Sequence, residues 1–182
     1  MLLCTTMAEG YFSSKATRAG RVQELFDTIA PRYDLINDLQ SLWLHRHWKK
    51  RLVKLADPSE GQRVLDLCCG TGDVAFALAQ CGADVIGIDF SQPMLNHATA
   101  RNNESTVTFK RGDALDTKQP DNHFDLVTIA YGLRNLASFE DGLREMHRVA
   151  KPGGKLLVLD FEVTSVFTDS AFSQQENLFT TF

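Results

Sequence analysis

Short apolar runs alternate with amphipathic segments from Arg63 onward, and this pattern predicts strands alternating with helices. Five runs read as buried strands, at residues 64–68, 84–89, 107–110, 124–130 and 155–160. The helical patterns cover residues 74–81, 92–101 and 139–149, and Pro152-Gly153-Gly154 reads as a turn. Alternating strands and helices predict a mainly parallel, Rossmann-like α/β sheet. Its ligands would bind where the loops that follow the strands meet at one edge.

The N-terminal part of the chain is helical in pattern. Residues 21–30 carry apolar side chains at helical spacing, and residues 35–55 form a second, basic helical stretch that includes Trp43 and Trp48. Tryptophans among basic residues suit a membrane-surface helix, but we favour a solvated helix whose tryptophans reach the core. We therefore divide the chain into a ragged start (1–20), an N-terminal helical lid (21–60), a ligand-binding domain (61–161) and an atypical tail (162–182).

Composition narrows the class of protein. The chain has 182 residues and a formal net charge of −4, which gives no electrostatic case for a nucleic-acid partner. The four cysteines lack the spacing of a disulfide framework or a zinc site, so we expect a reducing, cytoplasmic setting and no metal. No apolar run approaches the roughly 20 residues of a membrane span.

A glycine loop with acidic neighbours follows the first strand. Gly70 and Gly72 let the backbone turn sharply and approach a ligand, as in a dinucleotide site. However, Asp66 precedes this loop and Asp73 begins the next helix, where a carboxylate would repel a pyrophosphate. Acids here suit S-adenosylmethionine, which carries an ammonium and a sulfonium group and no phosphate. The alternative for Asp73 is an acid that only complements the helix dipole.

Two further acids follow strands on the same edge. Asp89 ends the second strand, 19 residues after Gly70, a spacing that suits a carboxylate bound to ribose hydroxyls. Asp113 follows the third strand, where it could accept the adenine amine while the Ala114 amide binds a ring nitrogen. The alternatives are a helix cap for Asp89 and a surface turn for Asp113.

These motifs carry a family resemblance. VLDLCCGTG (64–72), Asp89, GDA (112–114) and KPGG (151–154) resemble the ordered motifs of class I methyltransferases. FDTIAPRYD (26–34) and YGLRN (131–135) are narrower and resemble the ubiquinone/menaquinone biosynthesis C-methyltransferases. The resemblance runs from about Val22 to Phe161, and the LCCG variant of the loop favours the demethylmenaquinone or phylloquinone enzymes.

The resemblance implies a function and a site. It implies methyl transfer from S-adenosylmethionine to a ring carbon of a prenylated quinol, with a Rossmann-like fold. The cofactor-binding residues expected from the resemblance and from the glycine loop are Tyr33, Asp66, Gly70, Thr71, Gly72, Asp89, Asp113, Ala114 and Ala130. The prenylated substrate also favours peripheral membrane contact, and a homo-oligomer or a quinone-biosynthesis complex is left open.

Arg134 and Asn135 follow the fourth strand, on the ligand edge. Arginine stays protonated, so Arg134 would stabilise a developing phenolate or orient a water, while Asn135 would hold the quinol oxygen. The alternative for Arg134 is a surface salt bridge.

The tail departs from this resemblance. We expect residues 162–182 to lack a complete hairpin of strands six and seven, which leaves the fifth strand as an exposed edge. Two other functions therefore stay open. One is a domain that binds cofactor or a partner without catalysis. The other is an NAD(P)-dependent oxidoreductase, against which Asp73 argues.

Overall fold

The computed structural model describes residues 44–102 and 107–160, together with the backbone of residues 164–167. The helices are α1 (Leu44–Ala56), α2 (Asp73–Ala79), α3 (Gln92–Arg101) and α4 (Phe139–Val149). The strands are β1 (Arg63–Leu67), β2 (Asp84–Asp89), β3 (Thr108–Arg111), β4 (Phe124–Ala130), β5 (Ala150–Leu159) and β6 (Thr164–Phe167). They form one sheet in the order β3-β2-β1-β4-β5-β6, in which β6 alone is antiparallel to its neighbour. The predicted Rossmann-like α/β class is confirmed.

Both faces of the sheet are covered, because alternate strand residues point to opposite sides. Val64 and Leu126 pack on one face with Leu52 of α1 and Leu78 of α2. A second cluster on the other face contains Leu65 and Val127 of the sheet with Met146 and Val149 of α4. Strands buried on both faces explain why their sequences read as continuous apolar runs. The loops at the strand ends are therefore carried by a rigid platform.

Most predicted elements lie at or within two residues of their expected bounds, and the fifth strand shows the largest difference. The predicted turn Pro152-Gly153-Gly154 lies inside β5, which begins at Ala150. Residues 151–154 form an irregularity there, because the register moves from Phe124–Ala150 to Leu126–Lys155. Gly153 takes a φ of +77° that suits glycine. The sequence correctly indicated that this segment does not continue a regular strand. It forms a bulge inside β5 and not a turn before it.

The expectation that the fifth strand is an exposed edge is wrong. Residues 164–167 pair with it as β6, in a register that joins Leu159 to Thr164 and Leu156 to Phe167. The exposed edge of β5 offered unpaired backbone groups, and pairing them outweighed the turn-like composition of the tail. This is the one strand after Asp160 among the described residues, so the absence of a complete hairpin stays a prediction.

The basic helix α1 packs on the sheet. Of the predicted stretch 35–55, only the part from Leu44 lies within the described residues. Trp48 packs against the cluster that contains Leu52, as the core alternative predicted, whereas Trp43 lies outside the described residues. Within the ranges that the structure covers, none of the helices is apolar and long enough to cross a bilayer.

Helix α4 is tied to the loop after β3 by a buried carboxylate. Glu145 accepts hydrogen bonds from the Thr117 hydroxyl at 2.6 Å and the Thr117 amide at 2.8 Å, and it pairs with Arg148 at 2.7 Å. Burial alone would raise the pKa of Glu145, but these donors and the Arg148 charge lower it from 4.5 to about 2.

We expect Glu145→Gln to lower the free energy of unfolding at pH 7 by about 1–3 kcal/mol, the cost of leaving buried donors poorly paired. Because the folded pKa lies below the unfolded one, the carboxylate stabilises the fold above pH 4.5 and loses this effect as pH falls towards 2. Urea unfolding between pH 3 and 7 measures both, with the exposed Glu140→Gln as control. An equal loss at every pH would show that Glu145 acts through packing alone.

Candidate active site at the carboxyl edge of the sheet

The carboxyl ends of β1, β2 and β4 surround a cavity of about 170 Å³. It lies where the strand order reverses on the two sides of β1, the position at which open α/β sheets bind ligands. Its lining combines carboxylates with apolar side chains: Cys68, Gly70, Ile88, Asp89, Phe90, Ser91, Met94, Gly112, Asp113, Ala114, Leu115, Ala130, Tyr131, Gly132, Asn135, Leu136 and Ala137. Five of the predicted cofactor residues and Asn135 therefore line this one cavity.

The Asp89 carboxylate is held by backbone hydrogen bonds and belongs to the lining of the larger cavity. Its carboxylate accepts hydrogen bonds from the amides of Gly70 and Ser91, both at 2.8 Å, so it ties the glycine loop to the start of α3. Each carboxylate oxygen can accept more than one hydrogen bond, and the side chain also lines the cavity. Asp89 can therefore cap the loop and still accept two ligand hydroxyls.

Asp113 and Ala114 follow β3 in the chain and line the larger cavity. The Asp113 carboxylate accepts a hydrogen bond from the Leu115 amide at 2.9 Å, as a turn residue does, and it too lines the cavity. Ala114 is 6% exposed, and the apolar side chains of Ile88 and Met94 also line this cavity. A flat apolar ring with one hydrogen-bonding edge suits this part of the cavity.

A second, smaller cavity of about 20 Å³ continues along the glycine loop. It shares Cys68, Gly70, Ala130 and Tyr131 with the larger one and adds Lys49, Asp66, Cys69, Thr71, Asp73 and Val74. Asp66 is 1% exposed, and its Oδ1 accepts a hydrogen bond from Thr128 at 2.7 Å. Its Oδ2 has no partner within the described part of the chain. Burial raises the pKa of Asp66 to about 7, despite the Thr128 hydrogen bond.

Asp73 is neutralised by two cations, which changes the electrostatic argument made from the sequence. Lys49 of α1 lies 3.0 Å from its carboxylate, and Arg101 of α3 lies 2.8 Å away. Burial would raise the pKa of Asp73, but these two cations hold it below its ordinary value. Arg101 also donates to the Thr71 carbonyl at 2.9 Å, so the trio braces the glycine loop. Asp66, the other acid that lines the small cavity, has no cation at hydrogen-bond distance among the described residues.

The two glycines of the loop, Gly70 and Gly72, have different surroundings in the structure. Gly70 lines both cavities, and a Cβ there would meet open space. Gly72 is not among the residues lining either cavity, and it caps α2 with a φ of +88°. A Cβ at Gly72 would lie 2.8 Å from both Phe76 and Phe109, so this glycine makes room for the packing beneath the loop.

The two predicted catalytic residues, Arg134 and Asn135, differ in their position relative to the larger cavity. Asn135 lines the larger cavity and donates to the Tyr131 carbonyl at 3.2 Å. The Arg134 side chain is 44% exposed and pairs with Asp160 at 2.8 Å, and Arg134 is not among the lining residues. This arrangement matches the salt-bridge alternative for Arg134. Tyr33, which was predicted to bind the cofactor, lies outside the described residues.

Two residues with unusual backbone conformations were missed by the sequence analysis. Cys68 and Tyr131 have φ values of +52° and +60°, a region that non-glycine residues rarely occupy. They follow the paired strands β1 and β4, and both line the two cavities. Strain of this kind concentrates at functional sites. In the sequence, the nearby glycines Gly70 and Gly132 were the signal that could have indicated unusual backbone at these two positions.

Gly132 allows this close approach, because a Cβ there would lie 2.4 Å from the Cβ of Cys68. We expect Gly132→Ala to destabilise the fold by about 1–3 kcal/mol, as overpacking does. Adding Cys68→Gly should recover most of the loss, since glycine removes the clash and suits the positive φ. Thermal melts of the two single variants and the double variant measure this coupling. Additive effects would show that the Cys68 contact is not the cause.

Comparison with known proteins identifies the family of the chain. The sequence model of the ubiE/COQ5 methyltransferase family matches residues 13–180, which is longer at both ends than the stretch from which the resemblance was drawn. A 2-phytyl-1,4-naphtoquinone methyltransferase of Synechococcus elongatus is 47% identical over 76% of this chain and 63% of its own length. A demethylmenaquinone methyltransferase of Thermus thermophilus is 48% identical over 75% of this chain and 64% of its own length. The chain thus spans somewhat under two thirds of these relatives.

Solved structures agree on the fold. The YcgJ protein of Bacillus subtilis is 28% identical with a TM-score of 0.61, over 65% of this chain and 52% of its own. A SAM-dependent methyltransferase of Aquifex aeolicus is 27% identical with a TM-score of 0.57, over 63% of this chain and 64% of its own. The resemblance stated from the sequence is confirmed: the chain belongs to the ubiE/COQ5 methyltransferase family.

Proposed function

We propose that this chain binds S-adenosylmethionine in the two connected cavities and supports methyl transfer to a ring carbon of a prenylated quinol. The observation that carries the proposal is the placement of Asp89, Asp113 and Asp66 along one continuous site at the edge of the sheet. Asp89 would hold the ribose hydroxyls, and Asp113 with Ala114 the adenine edge. The cofactor supplies an electrophilic methyl group when bound.

The residues present fit this cofactor better than a dinucleotide. A pyrophosphate along the glycine loop would meet the buried Asp66 carboxylate, whose Oδ2 lacks a partner among the described residues. A ligand ammonium would instead supply that partner. Gly70 offers open space where the ligand would pass.

For the acceptor, Asn135 is the polar side chain that the short 3-10 helix Leu133–Asn135 brings to the cavity. Its amide would hold the quinol oxygen while Leu136 and Ala137 offer apolar surface beside it. Arg134, held by Asp160 on the same edge, would add positive potential near a developing phenolate. Several relatives are named for naphthoquinone or demethylmenaquinone substrates, which favours a naphthoquinol acceptor.

The proposed function also bears on where the protein acts. A prenylated acceptor resides in the bilayer, so we propose that the protein acts from the cytoplasm at the membrane surface. Trp48 is packed against the core cluster, so it would not supply the membrane contact.

The test is transfer of a labelled methyl group from S-adenosylmethionine to reduced, prenylated acceptors. We expect mass-labelled product with a demethylnaphthoquinol, less with a benzoquinol, and none with the oxidised quinone, whose ring carbon is not electron-rich. Cofactor binding without transfer to any acceptor would overturn the catalytic part of the proposal and select the binding-domain alternative.

A further inference from the structure

Helix α1 has an outer face that is strongly basic and carries two exposed leucines. We propose that this face docks on the surface of a bilayer that contains anionic phospholipid. The inference deepens the proposed function and rests on it, because the prenylated acceptor of that function resides in the same bilayer. The residues that make up the face line neither cavity.

The two sides of α1 differ in character. His45, Leu52 and Ala56 are buried on one side, and Trp48 packs against the same core cluster as Leu52. At about 3.6 residues per turn, the exposed residues of the helix fall on one continuous side that is centred opposite the buried ones. They are Leu44, Arg46, His47, Lys50, Arg51, Lys54 and Leu55, which we call the basic face. The packing of α1 on the sheet therefore leaves this face at the surface.

The charge of this helix is opposite to that of the whole chain. The net charge of the chain is −4, yet α1 contains five of its 19 Lys and Arg residues and none of its 23 Asp and Glu residues. Four of these five cations belong to the basic face, whereas Lys49 turns towards Asp73, which it contacts at 3.0 Å. Four or more Lys and Arg side chains on one amphipathic helix are typical of a site for anionic lipid headgroups. An otherwise acidic protein thus presents one local surface that complements such headgroups.

Leu44 and Leu55 give the basic face an apolar component. They are 56% and 41% exposed, and about three helical turns separate them, so they share one side of the helix. Helices that lie on a membrane combine basic side chains with apolar ones that enter the headgroup region. A lipid surface accommodates both kinds of side chain, whereas water favours only the basic ones. The two leucines therefore favour a bilayer over a face that is only solvated.

The direction of α1 places this face beside the cavities. Lys49 lines the smaller cavity at the carboxyl edge of the sheet. The Ala56 carbonyl accepts a hydrogen bond at 3.0 Å from Lys155, which pairs with Leu126 in the first half of β4. The helix therefore runs from the carboxyl edge towards the amino edge of the sheet. A bilayer on the basic face would lie beside the edge that holds both cavities, as an acceptor with its prenyl tail in the bilayer requires.

Flotation of the full chain with lipid vesicles tests the inference. The probes are vesicles of phosphatidylcholine alone and mixed vesicles of phosphatidylcholine and phosphatidylglycerol. We expect binding to the mixed vesicles at about 0.1 M salt, loss of most of it at about 0.5 M salt, and little binding to phosphatidylcholine alone. Lys50→Gln combined with Lys54→Gln should weaken binding to the mixed vesicles by about 25-fold, since each cation near such a surface contributes about 5-fold. Leu44→Ser should weaken it by about 5-fold through lost apolar contact.

The matched control is Lys110→Gln combined with Lys118→Gln. It removes the same net charge from exposed positions on the edge strand β3 and in the loop after it. We expect this control to bind the mixed vesicles within about 3-fold of the wild-type chain, because its lysines lie outside the basic face. Both double variants should keep the wild-type cofactor affinity, since none of the four lysines lines either cavity. Thermal melts confirm that each variant is folded.

The outcomes separate this inference from the proposed function. Equal binding of the wild-type chain to both kinds of vesicle, or an equal loss in the control variant, would overturn the inference. Binding to polyglutamate but to neither vesicle would also overturn it and assign the basic face to an acidic protein partner. Cofactor binding without vesicle binding would overturn only the inference. Binding to the mixed vesicles without any affinity for S-adenosylmethionine would overturn the proposed function and leave the docking surface in place.

Discussion

Asp89→Ala is expected to weaken S-adenosylmethionine binding by about 100-fold or more. Each hydrogen bond to a charged group contributes about 1.5–3 kcal/mol, and the proposal assigns Asp89 two ribose hydroxyls. The same carboxylate also accepts the Gly70 and Ser91 amides, so its removal loosens the glycine loop that shapes both cavities. The variant should therefore lose both cofactor affinity and the fixed conformation of the glycine loop. Calorimetry measures the affinity, and a thermal melt separates local loss from unfolding.

The control is Asp84→Ala, which removes an exposed carboxylate from the opposite end of the same strand. It should leave the affinity within about 2-fold, because it lies far from the ligand edge and is exposed. A folded Asp89→Ala protein with unchanged affinity would remove Asp89 from the ribose site. The capping role would then be sufficient to explain its position.

Asn135→Ala is expected to lower the rate of methyl transfer at saturating cofactor by about 100-fold while changing cofactor affinity less than about 3-fold. Loss of rate with retained binding marks an interaction made mainly in the transition state. Arg134→Ala should lower the rate in the same way if its charge acts on the acceptor oxygen. The rate would be measured in this chain and in a chimera that carries the C-terminal region of the Synechococcus relative after Asp160.

The ion pair between Arg134 and Asp160 supplies the matching control. Asp160→Asn removes the partner but leaves the guanidinium, so a rate that falls with Arg134→Ala and not with Asp160→Asn assigns the effect to the arginine charge. Equal losses in both variants would assign it to positioning by the pair. Unchanged rates in both would leave Arg134 as a surface salt bridge. Loss of cofactor binding in Asn135→Ala would move Asn135 into the cofactor pocket.

The positions of Asp89, Asp113 and Ala114 followed from the sequence because each lies at the end of a strand. Strand periodicity and parallel topology together bring all such ends to one edge, so no knowledge of distant contacts was needed. Asn135 was placed by the same argument, as the residue of a loop that follows a strand. The buried position of Asp66 also follows from its place inside an apolar run.

Other features depended on contacts between elements that no local pattern records. Asp73 is neutralised by residues 24 positions before and 28 positions after it, so its charge could not be judged from its helix alone. A glycine is required at position 72 because the side chains of Phe76 and Phe109 lie close to it. Phe109 comes from β3, which is distant in the sequence. The positive φ of Tyr131 could not be predicted from its residue type, because tyrosine rarely adopts this conformation. The pairing of β6 overrode a local composition that favoured turns.

The most direct test of the account is calorimetry of the unmodified chain with S-adenosylmethionine and with NADH, performed side by side under the same conditions. The account predicts one site that binds S-adenosylmethionine, because a buried carboxylate beside the glycine loop favours a cationic ligand and opposes a pyrophosphate. It predicts no saturable binding of NADH at the same concentrations. Tighter binding of NADH than of S-adenosylmethionine would contradict it.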